Sequence, residues 1–169
     1  MKRIISIVLL LVCVLTASAQ IQRNFLGFTL GVTTKTQVYN YLKNHCYKFS
    51  KDDLDDGYKV ENISFGGYQW TVAFITFHKN KLCSIEFYDS DDFRPQEFLE
   101  GSYKNLSTSL DKKYHFYLSE QSPNSKHYSD GVVKCVLAYS YAMNAMMLSL
   151  SYYYMPLLRQ KGIDEASEL

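Results

Sequence analysis

The sequence lacks the short motifs that mark several common catalytic and metal-binding sites. There is no H-x-x-x-H or C-x-x-C, so a structural zinc site has none of its usual local ligand pairs. There is also no G-x-S-x-G, G-x-G-x-x-G or G-K-[ST], which mark a hydrolase nucleophile, a dinucleotide-binding loop and a phosphate-binding loop. We therefore expect no catalytic residues, no cofactor and no metal ion.

The sequence carries little excess charge of either sign. Its formal net charge is +1, and removing Lys2 and Arg3 from the 18 basic residues leaves 16 against 17 acidic ones. A nucleic-acid-binding protein needs a basic surface that neutralises phosphates. We therefore do not expect nucleic acid as a partner.

Long apolar runs are absent except at the N-terminus. Lys2 and Arg3 precede an apolar run over residues 4–15, and residues 17–19 read Ala-Ser-Ala. This order is typical of a signal peptide. Cleavage after Ala19 leaves a chain of 150 residues in the periplasm or outside the cell. The membrane is then involved only during export.

The sequence has few cysteines. Cys13 lies in the signal peptide and follows Val12, whereas a lipoprotein signal places a small residue there. Cys46, Cys83 and Cys135 remain, an odd number in a compartment that permits disulfides. We interpret Cys83 and Cys135 as small buried residues on apolar strand faces. A bridge between them requires neighbouring strands, which the pattern leaves open.

The acidic run KDDLDDG over residues 51–57 does not fit a calcium loop. Counting from Asp52 puts Gly57 at the sixth position, but Leu54 stands at the third and Ile63 at the twelfth, where oxygen ligands are required. A second acidic cluster, YDSDDF over residues 88–93, precedes a predicted helix. Acidic residues at that place are explained by capping and the helix dipole.

The mature chain begins with a glycine-punctuated stretch that runs into a helical pattern. Thr34 is a predicted N-cap, and Gln37 completes a capping box. Val38, Tyr41 and Leu42 then recur at helical spacing. Gly27 and Gly31 are interpreted as turn or close-approach positions.

Periodicity predicts two helices and at least five strands. The strands are expected at residues 58–65, 68–78, 82–89, 132–141 and 145–154, with turns at Gly66-Gly67, Lys79-Asn80 and Met143-Asn144. The second helix is expected at residues 96–113, with Asp92 as its cap and Pro95 in its first turn. Residues 114–118 are a further short extended segment, and 119–130 a polar loop.

These elements predict an α+β fold, in which an antiparallel β-meander packs against helices. We expect a single domain over residues 20–155 and a polar C-terminal tail over residues 156–169. Two arrangements fit: a tandem α-β-β-β repeat with halves 20–92 and 93–155, or one sheet with both helices on one face.

Aromatic residues are abundant, with 15 Tyr and 10 Phe. Tyrosine suits binding surfaces because it combines a large contact area with a hydrogen-bonding tip. Tyr139 and Tyr141 share a predicted face with Tyr152 and Tyr154. We expect these four tyrosines to form a partner-binding patch, and the alternative is that they fill a half-buried sheet face.

The segment LGFTLGVTTKTQVYNYL, with the later hairpin FHKNKLCSIEF, resembles small secreted bacterial domains of the SmpA/OmlA (BamE-like) and β-lactamase-inhibitor-protein types. In those families a Gly-x-Thr start leads into a short helix and an antiparallel meander. Thr34 and Val38 match that start, although Val32-Thr33 makes it one residue longer. The resemblance covers residues 26–88 and implies protein binding without catalysis. The outer-membrane members are lipoproteins, a signal that this chain lacks.

We therefore expect an exported, non-catalytic binding protein, inhibitor-like or immunity-like, with an unidentified protein partner in the cell envelope or outside the cell. The alternative is an envelope protein that binds a glycan or another ligand through a tyrosine-rich sheet face. A hydrolase is the third class, because catalytic residues can converge from distant positions.

Overall fold

The computed structural model describes residues 20–142 and 144–167. The predicted signal peptide, residues 1–19, lies outside the described residues. The fold is α+β, as predicted.

None of the described helices is long and apolar enough to cross a membrane. The elements are β1 (Asn24–Phe25), β2 (Phe28–Thr29), α1 (Lys35–Asn44), β3 (Phe49–Lys51), β4 (Gly57–Phe65), β5 (Tyr68–His78), β6 (Lys81–Ser90), α2 (Gln96–Tyr114), a 3₁₀ turn (His115–Tyr117), β7 (Leu118–Ser122), β8 (Ser125–Ser129), β9 (Val133–Ala142), β10 (Ala145–Tyr154) and α3 (Met155–Ala166).

Eight strands form one antiparallel sheet in the order β3-β4-β5-β6-β10-β9-β8-β7. The first half of the chain supplies β3 to β6, and the second half supplies β7 to β10. The last strand of each half lies at the centre, where β6 and β10 pair with each other. The order is therefore mirrored about this central seam, and one helix followed by four strands is used twice within one continuous sheet.

Each half supplies one more strand to this sheet than the pattern predicted, and β1 and β2 form a separate two-stranded sheet that was not predicted. The additional strand of the first half is β3, and the predicted polar loop over residues 119–130 instead contains most of the β7–β8 hairpin. β3 and β7 are the two edges of the sheet, and every residue of β7 is exposed. An edge strand without a buried face does not show the alternation by which strands are recognised in a sequence.

Both predicted helices form and the second begins at Gln96 as predicted, but only the first has the predicted cap. The Thr34 side chain accepts from the backbone of Gln37, and the Gln37 side chain accepts from the backbone of Thr34 at 2.8 Å, which completes the capping box. Helix α2 begins after Pro95, which occupies the N-cap without a side-chain hydrogen bond. The prediction that Asp92 caps this helix is therefore wrong.

The C-terminal segment is a helix rather than a frayed tail. Pro156 lies in the first turn of α3, where its missing N–H has no helical partner to lose. The same residue cannot continue β10, so it ends the strand and starts the helix. Helix α3 contacts β5, β6 and β10 but buries none of its own residues.

The core lies between one face of the sheet and helices α1 and α2. Val38 and Leu42 of α1, and Leu99 and Leu110 of α2, belong to the same buried cluster as the sheet residues. Burying each such side chain stabilises the fold by about 1.5–3 kcal/mol. The sheet therefore has one face covered by these two helices.

The three described cysteines are free. Cys83 and Cys135 are buried, as predicted, and Cys46 is exposed. Strand β10 lies between β6 and β9, so the strands that carry Cys83 and Cys135 are not neighbours. The geometry that a bridge between them requires is not present.

Candidate functional site

The predicted tyrosine patch does not form. The four tyrosines share a face, since Tyr139 lies opposite Leu148 and Tyr152 opposite Cys135, but this face is the one that packs against the helices. Tyr152 is 2% exposed and Tyr139 7%, so neither offers a surface to a partner. Tyr154 packs against the core, and only Tyr141 is largely exposed, at 68%.

The opposite face of the sheet carries the second set of alternating residues, in three rows that each cross six strands. We call these eighteen positions the open face; four of them, Gly57, Thr76, Ser84 and Ser151, are buried. The register gives the rows as Glu61–Val72–Tyr88–Ser149–Ala138–Ser125, then Lys59–Phe74–Glu86–Ser151–Val136–His127, then Gly57–Thr76–Ser84–Tyr153–Lys134–Ser129. Helices α1 and α2 do not lie on this side, because their buried residues pack on the other one.

Strand alternation brings Glu86 to the middle of the open face. Ile85 and Phe87 are fully buried in the core beneath the helices, so the intervening Glu86 points to the other side. Glu86 lies opposite Phe74 on β5 and opposite Ser151 on β10. Its strand is one of the two at the central seam, so Glu86 has neighbours in both halves of the sheet.

Two tyrosine hydroxyls converge on one oxygen of the Glu86 carboxylate. Tyr88 and Tyr153 each donate a hydrogen bond of 2.8 Å to Oε2. The Ser84 hydroxyl donates to Oε1 over a longer distance of 3.4 Å. Oε2 is therefore occupied by two donors, whereas Oε1 holds one weak contact.

Burial and the nearby carboxylate keep both phenols protonated. Burial is the larger cause that raises the pKa of Tyr88 above its ordinary value, and the Glu86 carboxylate raises it further. The same two causes, in the same order, raise the pKa of Tyr153. Both hydroxyls therefore remain hydrogen-bond donors across the physiological pH range.

Aromatic rings border the Glu86 carboxylate. Phe74 packs edge-to-face against Tyr88, with ring centroids 5.8 Å apart and an interplanar angle of 77°. Phe74, Tyr88 and Tyr153 are all half-buried, so each ring keeps part of its surface accessible. The centre of the open face thus combines one carboxylate with three aromatic side chains.

Ion pairs hold helix α3 beside the β5–β6 hairpin. Asp164 accepts from His78 Nε2 at 2.9 Å and from Lys79 Nζ at 2.8 Å, and Lys161 pairs with Asp55. The hydrogen bond from Lys79, with further ones from Gln160 and His78, lowers the pKa of Asp164 to about 2. These ion pairs add to the packing of its half-buried Leu157 and Leu158 in anchoring this helix.

Two clefts lie outside the open face. One, of about 630 Å³, separates α2 from the β7–β8 hairpin and contains the Asp111–Lys126 ion pair. Burial opposes ionisation of Asp111, but hydrogen bonds from Lys126 and Tyr128 outweigh it and lower its pKa. The other, of about 520 Å³, lies between the acidic loop and α3.

The acidic cluster of residues 88–93 has a structural role through Asp89. This carboxylate is buried, and it accepts from Tyr68 and from Arg94, each at 2.8 Å. These bonds join β5 and β6 to the loop before α2. Among residues 20–142 and 144–167, no group of three or more His, Cys, Asp or Glu side chains is arranged to hold a metal ion.

The sequence pattern placed Glu86 on the correct side of β6 but did not single it out. Tyr88 and Tyr153 were missed because they reach Glu86 only once β6 and β10 pair. The signal that could have found them is the second set of alternating positions in these two strands. Comparison with protein-family models, with curated proteins and with solved structures finds no match to this chain.

Proposed function

We propose that this chain is an exported, non-catalytic protein-binding module, and that the open face is its binding surface. The observation that carries the proposal is the centre of that face, where Phe74, Tyr88 and Tyr153 surround Glu86. Aromatic residues are enriched at protein interfaces because they supply large contact areas at low entropic cost. The resemblance of residues 26–88 to inhibitor-like exported domains supports the same class of function.

The dimensions of the open face suit a protein partner. Six strands span roughly 24 Å across the sheet, and three rows span roughly 14 Å along the strands, with the third row buried at Gly57, Thr76 and Ser84. An area of this size accommodates the central contacts of an ordinary protein–protein interface, while flanking loops supply the rim. The sheet also holds these side chains on a rigid support, which lowers the entropic cost of binding.

Site-specific photo-crosslinking tests this proposal. A photoreactive residue at Val136, on the open face, should give one discrete crosslinked protein in the cells that produce the chain. The matched control is the same residue at Ser109, which is exposed on α2. Equal crosslinking from both positions, or none from Val136, contradicts the proposal.

Export has its own test. The mature protein should begin at Gln20, and intact-mass measurement of the purified chain checks this. A chain that retains residues 1–19 contradicts the proposed export by a cleaved signal peptide.

Glycan binding is the second candidate function of the same surface. It is favoured by the accessible rings of Phe74 and Tyr88 beside a carboxylate, since sugars stack on aromatic faces and donate hydroxyls to carboxylates. Chemical shifts of these two residues should then respond to added oligosaccharides in a saturable manner. A crosslinked protein from Val136 without any such response decides for protein binding.

A further inference from the structure

The Glu86 carboxylate has no basic partner among the described residues. Half-buried Asp52 and Asp130 also form no ion pair, but backbone N–H groups donate to them. Asp89 pairs with Arg94, Asp111 with Lys126, and Asp164 with His78 and Lys79. No Lys, Arg or His side chain within residues 20–142 and 144–167 forms an ion pair with Glu86. Its hydrogen-bond donors are neutral hydroxyls.

A half-buried carboxylate that lacks a counter-ion attracts a cation. Partial burial reduces its hydration, and no ion pair replaces that loss, since Lys59 of the same row and Lys134 of the next row do not pair with it. A cation that docks here gains more than it would at a fully exposed carboxylate, because surrounding side chains exclude part of the solvent. The charge of Glu86 therefore selects for a positively charged group on whatever covers the open face.

The geometry of the two carboxylate oxygens discriminates between kinds of cation. Oε2 already accepts from Tyr88 and Tyr153, so Oε1 is the oxygen with spare capacity. An arginine fork binds best when both oxygens are free for two parallel hydrogen bonds. A lysine ammonium is a compact point charge with rotatable donors, and one free oxygen is enough for it.

The neighbouring rings fit the rest of a lysine side chain. Phe74 lies directly opposite Glu86 in the register, which places their Cβ atoms roughly 5 Å apart. The apolar stem of a lysine can pack on this ring while the ammonium reaches Oε1. The faces of Phe74 and Tyr88 add a cation–π attraction to an ammonium placed near them.

We propose that Glu86, bordered by Phe74, Tyr88 and Tyr153, is a binding site for the lysine ammonium of the protein that occupies the open face. The proposal rests on the proposed function, and it adds the chemistry of the partner's central contact.

Titration followed by NMR tests this site with three probes: N-acetyl-lysine methylamide, its arginine analogue and its uncharged norleucine analogue. The lysine probe should shift the signals of Phe74, Tyr88 and Tyr153 with saturable millimolar affinity. The arginine probe should bind at least three-fold more weakly, and the norleucine probe should give no saturable shift.

Glu86→Gln keeps the shape of the side chain and removes its charge, so binding of the lysine probe should fall at least ten-fold. The control is Glu100→Gln, an exposed carboxylate on α2, away from the open face, whose partner is Lys104. It should leave the affinity unchanged. The comparison of three probes on the unsubstituted chain decides the question even if Glu86→Gln fails to fold.

The proposal is overturned if arginine binds as tightly as lysine, if Glu86→Gln binds the lysine probe normally, or if no probe binds. Failure of the lysine site can be distinguished from failure of the proposed function. Crosslinking from Val136 together with no response to lysine removes the lysine site and leaves the protein-binding module. A response to the lysine probe without a crosslinked protein keeps the lysine site and removes the protein-binding module.

Discussion

Tyr153 on β10 and Glu86 on β6 are 67 residues apart in the chain and are joined by a 2.8 Å hydrogen bond on the open face. Their strands belong to different halves of the fold and meet only at the central seam. This bond therefore connects the two α-plus-four-strand units on the side away from helices α1 and α2. The same geometry that joins the halves also builds the candidate binding site.

Replacing Tyr153 with Phe should weaken the seam without disturbing the core. The change removes the donor to Glu86 and keeps the ring, so we expect a loss of about 0.5–1.5 kcal/mol in the free energy of unfolding. Urea unfolding measures it. Tyr141→Phe is the control, because Tyr141 is 68% exposed and should change stability little. Equal effects in both variants would falsify a structural role for the Tyr153 hydroxyl.

Glycine is required at position 31 for two reasons, its left-handed backbone conformation and the closeness of the Tyr154 ring. The φ of Gly31 is +78°, and a Cβ there would lie 2.6 Å from the ring of Tyr154. The matched comparison is Gly131, which has a φ of +85° and open space around its Cβ position. Gly131→Ala should cost about 1–2 kcal/mol from the left-handed backbone alone. Gly31→Ala should cost a further ~1–3 kcal/mol for the steric overlap.

Thermal or urea unfolding of both glycine variants separates the two causes. Adding Tyr154→Ala to Gly31→Ala should remove the steric part, so the double variant should lose less than the sum of the single changes. Indistinguishable stabilities for Gly31→Ala and Gly131→Ala contradict the close approach of Tyr154.

The contribution of Asp164 to stability should depend on pH. Its pKa in the folded protein is lowered to about 2, against about 3.9 for an unfolded aspartate. A depressed folded-state pKa means that the stabilisation is present above about pH 4 and is lost as the pH falls through about 2. Asp164→Asn should therefore be less stable than the unsubstituted chain at pH 7, and the difference should shrink toward pH 2.

Urea unfolding of both proteins at several pH values measures this convergence. Asp92→Asn serves as the control, because Asp92 is exposed and forms no ion pair within the described residues. A constant difference between Asp164→Asn and the unsubstituted chain across this range argues against the ion pairs of α3.

The three cysteines of the mature chain should react very differently. Burial raises the pKa of the Cys83 thiol to about 11 and that of Cys135 to about 12, whereas Cys46 is exposed. Because the thiolate is the reactive form, iodoacetamide should modify only Cys46 in the native protein. Mass spectrometry should count one label natively and three in denaturant.

Cys46→Ser is the matched variant for this count. It should show no native labelling and two labels after unfolding. A disulfide between Cys83 and Cys135 would instead leave one label on the denatured unsubstituted chain and none on denatured Cys46→Ser.

Local features of the fold were predictable from the sequence because they depend on residues close together in the chain. The Thr34–Gln37 capping box formed as predicted, and so did the turns at Gly66-Gly67 and Lys79-Asn80. The predicted range of β5 agrees with the structure at both ends, as does that of β10. These elements have strong alternation or a specific turn chemistry that acts within a few residues.

Other features were not predictable because they lack a local signal. β7 is polar and exposed throughout, so nothing in its composition distinguishes it from a loop. Helix α3 is held by charges on distant loops, among them Asp55 and Lys79, and it buries none of its residues. Its pattern alone therefore suggests a polar tail.

By itself, the amino-acid sequence determined which residues of β9, β10 and the part of β6 from Ser84 onward share a face, since the side-chain period of a strand is built into the backbone. The register shift before Ser84 breaks this period, so Leu82 rather than Cys83 joins Ile85 in the core. The sequence did not determine which neighbour each strand takes, nor which of the two faces the helices cover. Only the tertiary structure decided that Tyr139 and Tyr152 are buried while Tyr88 and Tyr153 meet at Glu86 on the open side. The physical reason is that pairing across the seam joins residues about 60 positions apart, and it depends on how the whole apolar surface is best buried rather than on any short stretch of chain.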